Sequence, residues 1–181
     1  MRIVAGKYGS RPLKTLSGDA TRPTSDKVKG AVFSSLGGRF AGGRFLDCYS
    51  GSGAMALEAI SRGMDQAVCV DQSHAACRII QENIRTLGVQ DQCLVLQQDI
   101  FRAIDQLTQP FDLVYIDPPY SKQRNEELIS KLDRMHLIKE QGILVVESAD
   151  GDHLPDAIND IYKYKEKKYR NTKITYYRKG E

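Results

Sequence analysis

No apolar run in this sequence approaches the ~18 residues that a membrane-spanning helix needs. The first residues, Met1 to Gly6, lack the apolar stretch of a secretory signal. Cysteine is scarce and scattered: Cys48, Cys69, Cys77 and Cys93 form no Cys-x-x-Cys pair, and each sits in or beside an apolar run. This spacing argues against zinc and disulfides and for buried free thiols in a reducing cytoplasm. The three histidines, His74, His136 and His153, are equally dispersed, so no metal site is expected. Internal repeats and low-complexity stretches are missing too. What remains is a chain of 181 residues, 41% hydrophobic, enough for one well-cored domain with a small extension.

The net charge of +3 conceals an uneven distribution. Residues 1–44 hold nine Lys/Arg against two Asp, and residues 161–181 hold eight against two Glu. The stretch between them carries nineteen acids and nine bases. Basic ends around an acidic body suit a polyanionic partner held by the ends, although solvated faces of different sign would read the same way.

Residues 2–5 and 11–15 read as short extended segments joined by Gly6 to Gly9, a basic hairpin. Pro23 steers Arg22 away from helix, so 21–24 is a loop. A helix capped by Thr24 or Ser25 follows, with Val28, Ala31, Val32 and Leu36 on one face and Gly37-Gly38 at its end. Residues 1–24 thus form an extension, and 25–181 the main domain. From Arg44 onward strands and helices alternate. Strands are predicted at 45–49, 67–70, 94–96, 112–116 and 143–147. Helices are predicted at 54–62, from the Ser73 cap to Gly88, briefly after Asp99, and near 123–135. This rhythm means an α/β fold with a doubly wound, mostly parallel sheet. Residues 160–179, rich in Tyr, Lys and Thr, read as an antiparallel hairpin on one sheet edge.

The chemistry is expected where the strand Leu113 to Ile116 runs into Asp117-Pro118-Pro119-Tyr120. Neither proline can donate to a ladder, so the strand stops there and leaves an acid at its carboxyl end. Ligands of open α/β sheets bind outside such ends. Asp117 and the Pro118 carbonyl can both accept hydrogen bonds from one NH2 group, and Tyr120 offers a flat face for a base. A strand end followed by a rigid turn is the alternative. The loop Tyr49-Ser50-Gly51-Ser52-Gly53-Ala54 lets a ligand approach the main chain. Asp47 precedes this loop, Asp71 ends the next strand and can hold ribose hydroxyls, and Asp99 ends the third, within reach of an adenine amino group. With Ser50, Gly51, Gly53, Gln72 and Ile100 they make an adenosine pocket. Three unrelated helix caps would not explain why the acids fall together. A dinucleotide enzyme would need a second substrate domain, for which this chain has no length.

Asp47 to Gly53 together with Asp117-Pro118-Pro119-Tyr120 resembles the class I, Rossmann-like S-adenosylmethionine methyltransferases that act on exocyclic amines. Arg2 to Tyr8 and Thr21-Arg22-Pro23-Thr24-Ser25-Asp26-Lys27-Val28 resemble the bacterial RsmD-type family, which methylates the N2 amine of a guanine in 16S ribosomal RNA. The resemblance spans nearly the whole chain. It departs at Tyr49-Ser50, where the family usually shows Phe-Ala.

The resemblance implies S-adenosylmethionine as cofactor, ribosomal RNA or a small-subunit assembly particle as partner, a flipped guanine, and direct methyl transfer without a metal or covalent intermediate. Asp117, Pro118, Pro119 and Tyr120 would act on the base. The acidic pocket repels phosphate, so flanking cations must draw RNA in. Lys7, Arg11, Lys14 and Arg22 are the first candidates. The C-terminal lysines and tyrosines either share that task or form a solvated edge. A monomer is expected. The alternatives are a DNA adenine-N6 methyltransferase, which would need extra surface to read sequence, and a non-catalytic RNA-binding or assembly protein. Intact Gly51, Gly53, Asp71 and Asp117 speak against the latter.

Overall fold

The computed structural model describes residues 1–16, 25–119 and 124–180. Eight strands form one sheet in the order β3-β2-β1-β4-β5-β8-β7-β6. β1 (Arg44–Asp47), β2 (Gln66–Asp71), β3 (Cys93–Gln97), β4 (Phe111–Ile116) and β5 (Ile138–Ala149) are parallel to one another. β8 (Thr172–Lys179) lies antiparallel on β5, followed by β7 (Ile161–Tyr169) and the two-residue β6 (Ala157–Ile158). The expected doubly wound α/β sheet with its C-terminal antiparallel hairpin is what forms, and β6 and the early start of β5 are additions to it.

Helices α1 (Asp26–Ser35), α2 (Ala54–Ser61) and α3 (His74–Leu87) cover one face, and α4 (Ile100–Ala103) and α5 (Asn125–Arg134) the other. Their ends follow local chemistry. Ser25 Oγ accepts from the Val28 N–H at 3.2 Å, and Ser73 Oγ from the Ala76 N–H at 3.2 Å. Gly88 closes α3 in the left-handed conformation. The central strands are buried on both faces, as parallel strands between two helical layers must be. Of the helix faces read from sequence, Val32 on α1 and Cys77, Ile80, Ile84 and Leu87 on α3 are buried. All four cysteines are free thiols, three of them buried.

The N-terminal segment pairs with itself at Arg2 and Pro12, and Ile3 and Leu13 enter the core beside α1 and α2. It is fastened by a buried charge network that the sequence did not disclose. Glu58, fully buried on α2, accepts from the Val4 N–H at 2.8 Å and the Ala5 N–H at 3.1 Å. Its charge is met by Arg62 at 2.7 Å and by the fully buried Lys29 at 3.4 Å. Ser61 Oγ accepts from the Tyr8 N–H at 3.0 Å and donates to the Ala5 carbonyl at 2.7 Å. Buried charges persist only when paired and bonded in this way. Thr24 and the 21–24 loop, including Arg22, lie outside the described residues, as does Tyr120.

Candidate active site

Strand order places the site. The chain runs outward from β1 through β2 to β3, then returns to lay β4 on the other side of β1. The connections therefore diverge between β1 and β4, and a crevice opens at their carboxyl ends. A cavity of about 1400 Å³ occupies this position. It exceeds the ~300–1,000 Å³ of pockets that hold one drug-sized ligand, leaving room for a nucleoside cofactor and part of a second molecule.

Asp47, Ser50, Gly51, Asp71, Gln72, Asp99 and Ile100 all line this cavity on the side of β1 to β3. Gly53 stands one step behind, as the residue before α2, with φ +82°; a Cβ there would meet Ile80 Cγ2 at 3.2 Å. Gly51 has φ +58°, and nothing lies within 4 Å of where its Cβ would stand. A side chain at Gly51 is thus disfavoured by backbone conformation, and its absence leaves the main chain open to a ligand. Asp71 fixes this loop: one oxygen accepts from the Gly51 N–H and the other from the Ser73 N–H, both at 2.9 Å. Asp99 accepts from the Phe101 N–H at 3.1 Å and so caps α4 while it faces the cavity. A carboxylate has about four acceptor positions, so neither acid is exhausted by these bonds.

Asp47 is 1% exposed. Its Oδ2 accepts from Ser50 Oγ at 3.1 Å, whereas Oδ1 has no hydrogen-bond partner. Burial pushes its pKa up to about 7; the Ser50 hydroxyl and, more weakly, the Tyr49 main-chain N–H oppose the shift, and the charge of Asp71 adds to it. A buried acceptor facing a cavity without a bond is a place built for a donor, and a cationic one would suit it best. Cys48, next in sequence, also touches the cavity, but burial pushes its thiol up and its side chain packs in the α4–α5 core layer. A thiol held protonated is a poor nucleophile.

Asp117, Pro118 and Pro119 line the cavity across the crevice, at the end of β4. Two groups missed by the sequence reading stand beside them. Tyr115, 2% exposed on β4, donates its hydroxyl proton to Glu147, which ends the apolar run of β5 and lines the same cavity. An acid at the carboxyl end of a parallel strand was the available signal for Glu147, the same one that marked Asp117. The hydroxyl contact depends on β4 pairing with β5 and had no sequence signal. Lys27 of α1 and Tyr169, Arg170, Asn171 and Thr172 at the β7–β8 turn complete one rim.

Three of the cations singled out at the N-terminus, Lys7, Arg11 and Lys14, are among the described residues, and they do not gather at the cavity. Lys7 lies against Tyr8, 5.5 Å from its ring, where the main chain is bonded to Ser61 at the end of α2. Arg11 donates to the Thr86 carbonyl at 2.8 Å, near the far end of α3, and Lys14 pairs with Glu82 at 2.8 Å. None of the three lines the cavity.

Three comparisons bear on this arrangement. A Bacillus subtilis protein provisionally named rRNA methyltransferase YlbH is 33% identical over 99% of this chain and 99% of its own length. Ribosomal RNA small subunit methyltransferase D of Escherichia coli is 29% identical over 86% of this chain and 78% of its own. The solved structure of the Escherichia coli protein provisionally named methyltransferase yhhF superimposes with a TM-score of 0.90 at 26% identity, over 99% of this chain and 98% of that one. Residues 1–178 match the family described as conserved hypothetical protein 95, and with the acids, glycines and Asp-Pro-Pro segment arranged around one crevice, the chain belongs to that family, the RsmD-type methyltransferases.

Proposed function

We propose that this protein transfers a methyl group from S-adenosylmethionine to the exocyclic N2 amine of a guanine in small-subunit ribosomal RNA, in the cytoplasm. The observation that carries the reading is the crevice between β1 and β4, with an adenosine-type acid set on one wall and Asp117-Pro118 on the other. The names of the relatives point to ribosomal RNA as the acceptor. The chain's residues fit the cofactor: Oδ1 of Asp47 is a buried, unpartnered acceptor of the kind an ammonium group would satisfy.

The cofactor, when bound, supplies an electrophilic methyl group on a sulfonium. In this reading Asp71 holds the ribose hydroxyls, Asp99 and Ile100 take the adenine, and Asp47 pairs with the ammonium. Gln72, Ser50 and the Gly51 to Gly53 main chain close around the rest. Asp117 and the Pro118 carbonyl accept the two protons of the target amine. An aromatic amine is a weak nucleophile because its lone pair is delocalised into the ring. Acceptors on both protons favour a pyramidal nitrogen with its lone pair aimed at the methyl group, and Asp117 takes up the proton that the alkylated amine must lose. Pro119 holds the turn rigid, and Tyr120 stacks on a base flipped out of the RNA. Most of the acceleration is positioning, which contributes up to ~7–11 kcal/mol in favourable systems. Residues 1–24 serve in this reading as an RNA-binding extension, with Lys7, Arg11, Lys14 and Arg22 as one set of phosphate contacts.

The test is methyl transfer to naked small-subunit ribosomal RNA, to partly assembled small subunits and to duplex DNA, followed by mapping of the modified nucleoside. N2-methylguanine at one site of the ribosomal RNA is the expected product. N6-methyladenine in DNA, or no transfer to any substrate with the cofactor bound, would overturn the proposal.

A further inference from the structure

We infer that one face of the β7–β8 hairpin, the face on the side of α1, is the track on which the RNA strand flanking the target nucleotide docks. This inference rests on the RNA reading above. The two faces of the hairpin are built differently. Ile174 and Tyr176 of β8 pack with the α1–α3 layer, whereas Ile161 of β7 and Tyr177 of β8 pack with the α4–α5 layer. Pairing then assigns the rest: Tyr162 opposite Arg178, Lys165 opposite Tyr176, and Lys167 opposite Ile174 share the α1-side face. The pairing slips by one residue between Lys163 and Lys165. That bulge sets Tyr164 on the same face, its ring 6.0 Å from that of Tyr176, next to Lys165.

Charge separates the two faces. On the α4–α5 side every lysine meets an acid: Lys163 with Glu166 at 2.8 Å, Lys168 with Asp150 at 3.5 Å, and Lys173 with Glu166 at 3.7 Å. On the α1 side no carboxylate among the described residues pairs with Lys165, Lys167 or Arg178. These three lie instead over tyrosine rings, at 5.4 Å from Tyr176, 5.6 Å from Tyr169 and 4.6 Å from Tyr164. Lys165 also reaches Ser35 Oγ of α1 at 3.3 Å. Lysine on an outer strand discourages strand pairing whichever face it occupies. That role does not explain why acids neutralise one face and leave the other positive.

The unneutralised face leads to the site. β7 runs parallel to β5 through the antiparallel β8, so its carboxyl end points to the same edge as the cavity. Tyr169 and Arg170 line the cavity there, as does the exposed Lys27. At ~3.3 Å per residue the track from Tyr162 to Arg170 is ~26 Å long. Tyr162 and Tyr164 are 45% and 42% exposed. Unpaired cations interleaved with exposed tyrosines match a phosphate backbone with unstacked bases beside it. The acidic cavity holds no such attraction of its own.

The experiment compares the parent chain with the double variant Lys165→Gln/Lys167→Gln. The probes are a small-subunit ribosomal RNA transcript and partly assembled small subunits, titrated over a range of salt concentrations. Each lost phosphate contact flattens the log–log salt slope by about 0.7–0.9, so the double variant should lose about 1.4–1.8 and bind about 25- to 60-fold more weakly at 0.1 M salt. S-adenosylmethionine affinity, measured by calorimetry, should not move, which also shows that the variant is folded. Lys165→Arg/Lys167→Arg should keep the parent slope, and Lys168→Gln, on the opposite face, should too. A double variant that methylates and binds RNA with parental affinity and slope would overturn the track and leave the proposed function standing. Weakened binding to particles alone, with the transcript unaffected, would assign the face to a protein and overturn the track. A parent that methylates neither probe would overturn the RNA reading and the track together.

Discussion

Asp47→Asn tests the site at its most unusual group. Asp47 ionises at about 7 where a carboxyl ordinarily does so near 3.8, because burial penalises its charge more than Ser50 relieves it. Three pKa units correspond to about 4 kcal/mol at 1.36 kcal/mol per unit. The native state keeps a proton that the unfolded chain releases, so this group's contribution is fully present below about pH 4 and is lost as pH rises to about 7. The asparagine variant has nothing to ionise. Its unfolding free energy relative to the parent should therefore climb by up to about 4 kcal/mol between pH 4 and pH 8, read from denaturant unfolding of the cofactor-free protein. Cofactor binding should show the other side of the same linkage. An ammonium at Oδ1 favours the ionised acid, so binding below neutral pH expels a proton from this group, and the release fades as pH rises above about 7. Calorimetry in buffers of different ionisation enthalpy measures that release as parent minus variant. The variant should also bind S-adenosylmethionine about ten- to a hundredfold more weakly, having lost a charge-assisted bond. A stability difference that is flat with pH, or equal proton release in the two proteins, would refute the account of Asp47.

Other substitutions probe neighbouring features. Asp71→Ala removes the ribose contact and also the anchor of the Gly51 loop, and calorimetry should show cofactor affinity falling by about ten- to a hundredfold; an unchanged value would take Asp71 out of the site. Asp117→Ala should abolish most turnover in a methyl-transfer assay while cofactor affinity stays near that of the parent. If both collapsed, Asp117 would belong to the cofactor or to the fold. Glu58→Ala takes from the buried Arg62 its ion-pair partner and leaves Lys29 with Asp26 and the Arg2 carbonyl, and chemical denaturation should report a loss of up to about 3–5 kcal/mol. A loss under 1 kcal/mol would mean that the network is solvated in solution.

Much of this architecture was legible because its causes are local. Serine caps, left-handed glycines and apolar runs act within a few residues, so Ser73, Gly88 and the strand ending at Asp71 could be placed from sequence. The acids at successive strand ends were legible for the same reason, since a strand that stops at an acid announces its carboxyl end. Glu147 carried that signal as well and was passed over because no motif surrounded it. What the tertiary structure alone decided is how these pieces are brought together. Parallel strands buried on both faces look alike in sequence, so nothing local said that β4 returns to β1 and opens the crevice between Asp47 and Asp117. The burial of Lys29 against Glu58 and the Tyr115–Glu147 contact depend on partners 29 and 32 residues apart, and the division of the β7 lysines into neutralised and bare faces depends on the pairing of β7 with β8 and its one-residue slip. The placement of Lys7, Arg11 and Lys14 is of the same kind. Their charge was evident, but the docking of their segment on α2 and α3 leaves all three off the cavity lining, because a side chain's address depends on the surface its backbone is bonded to and not on the sign of its charge.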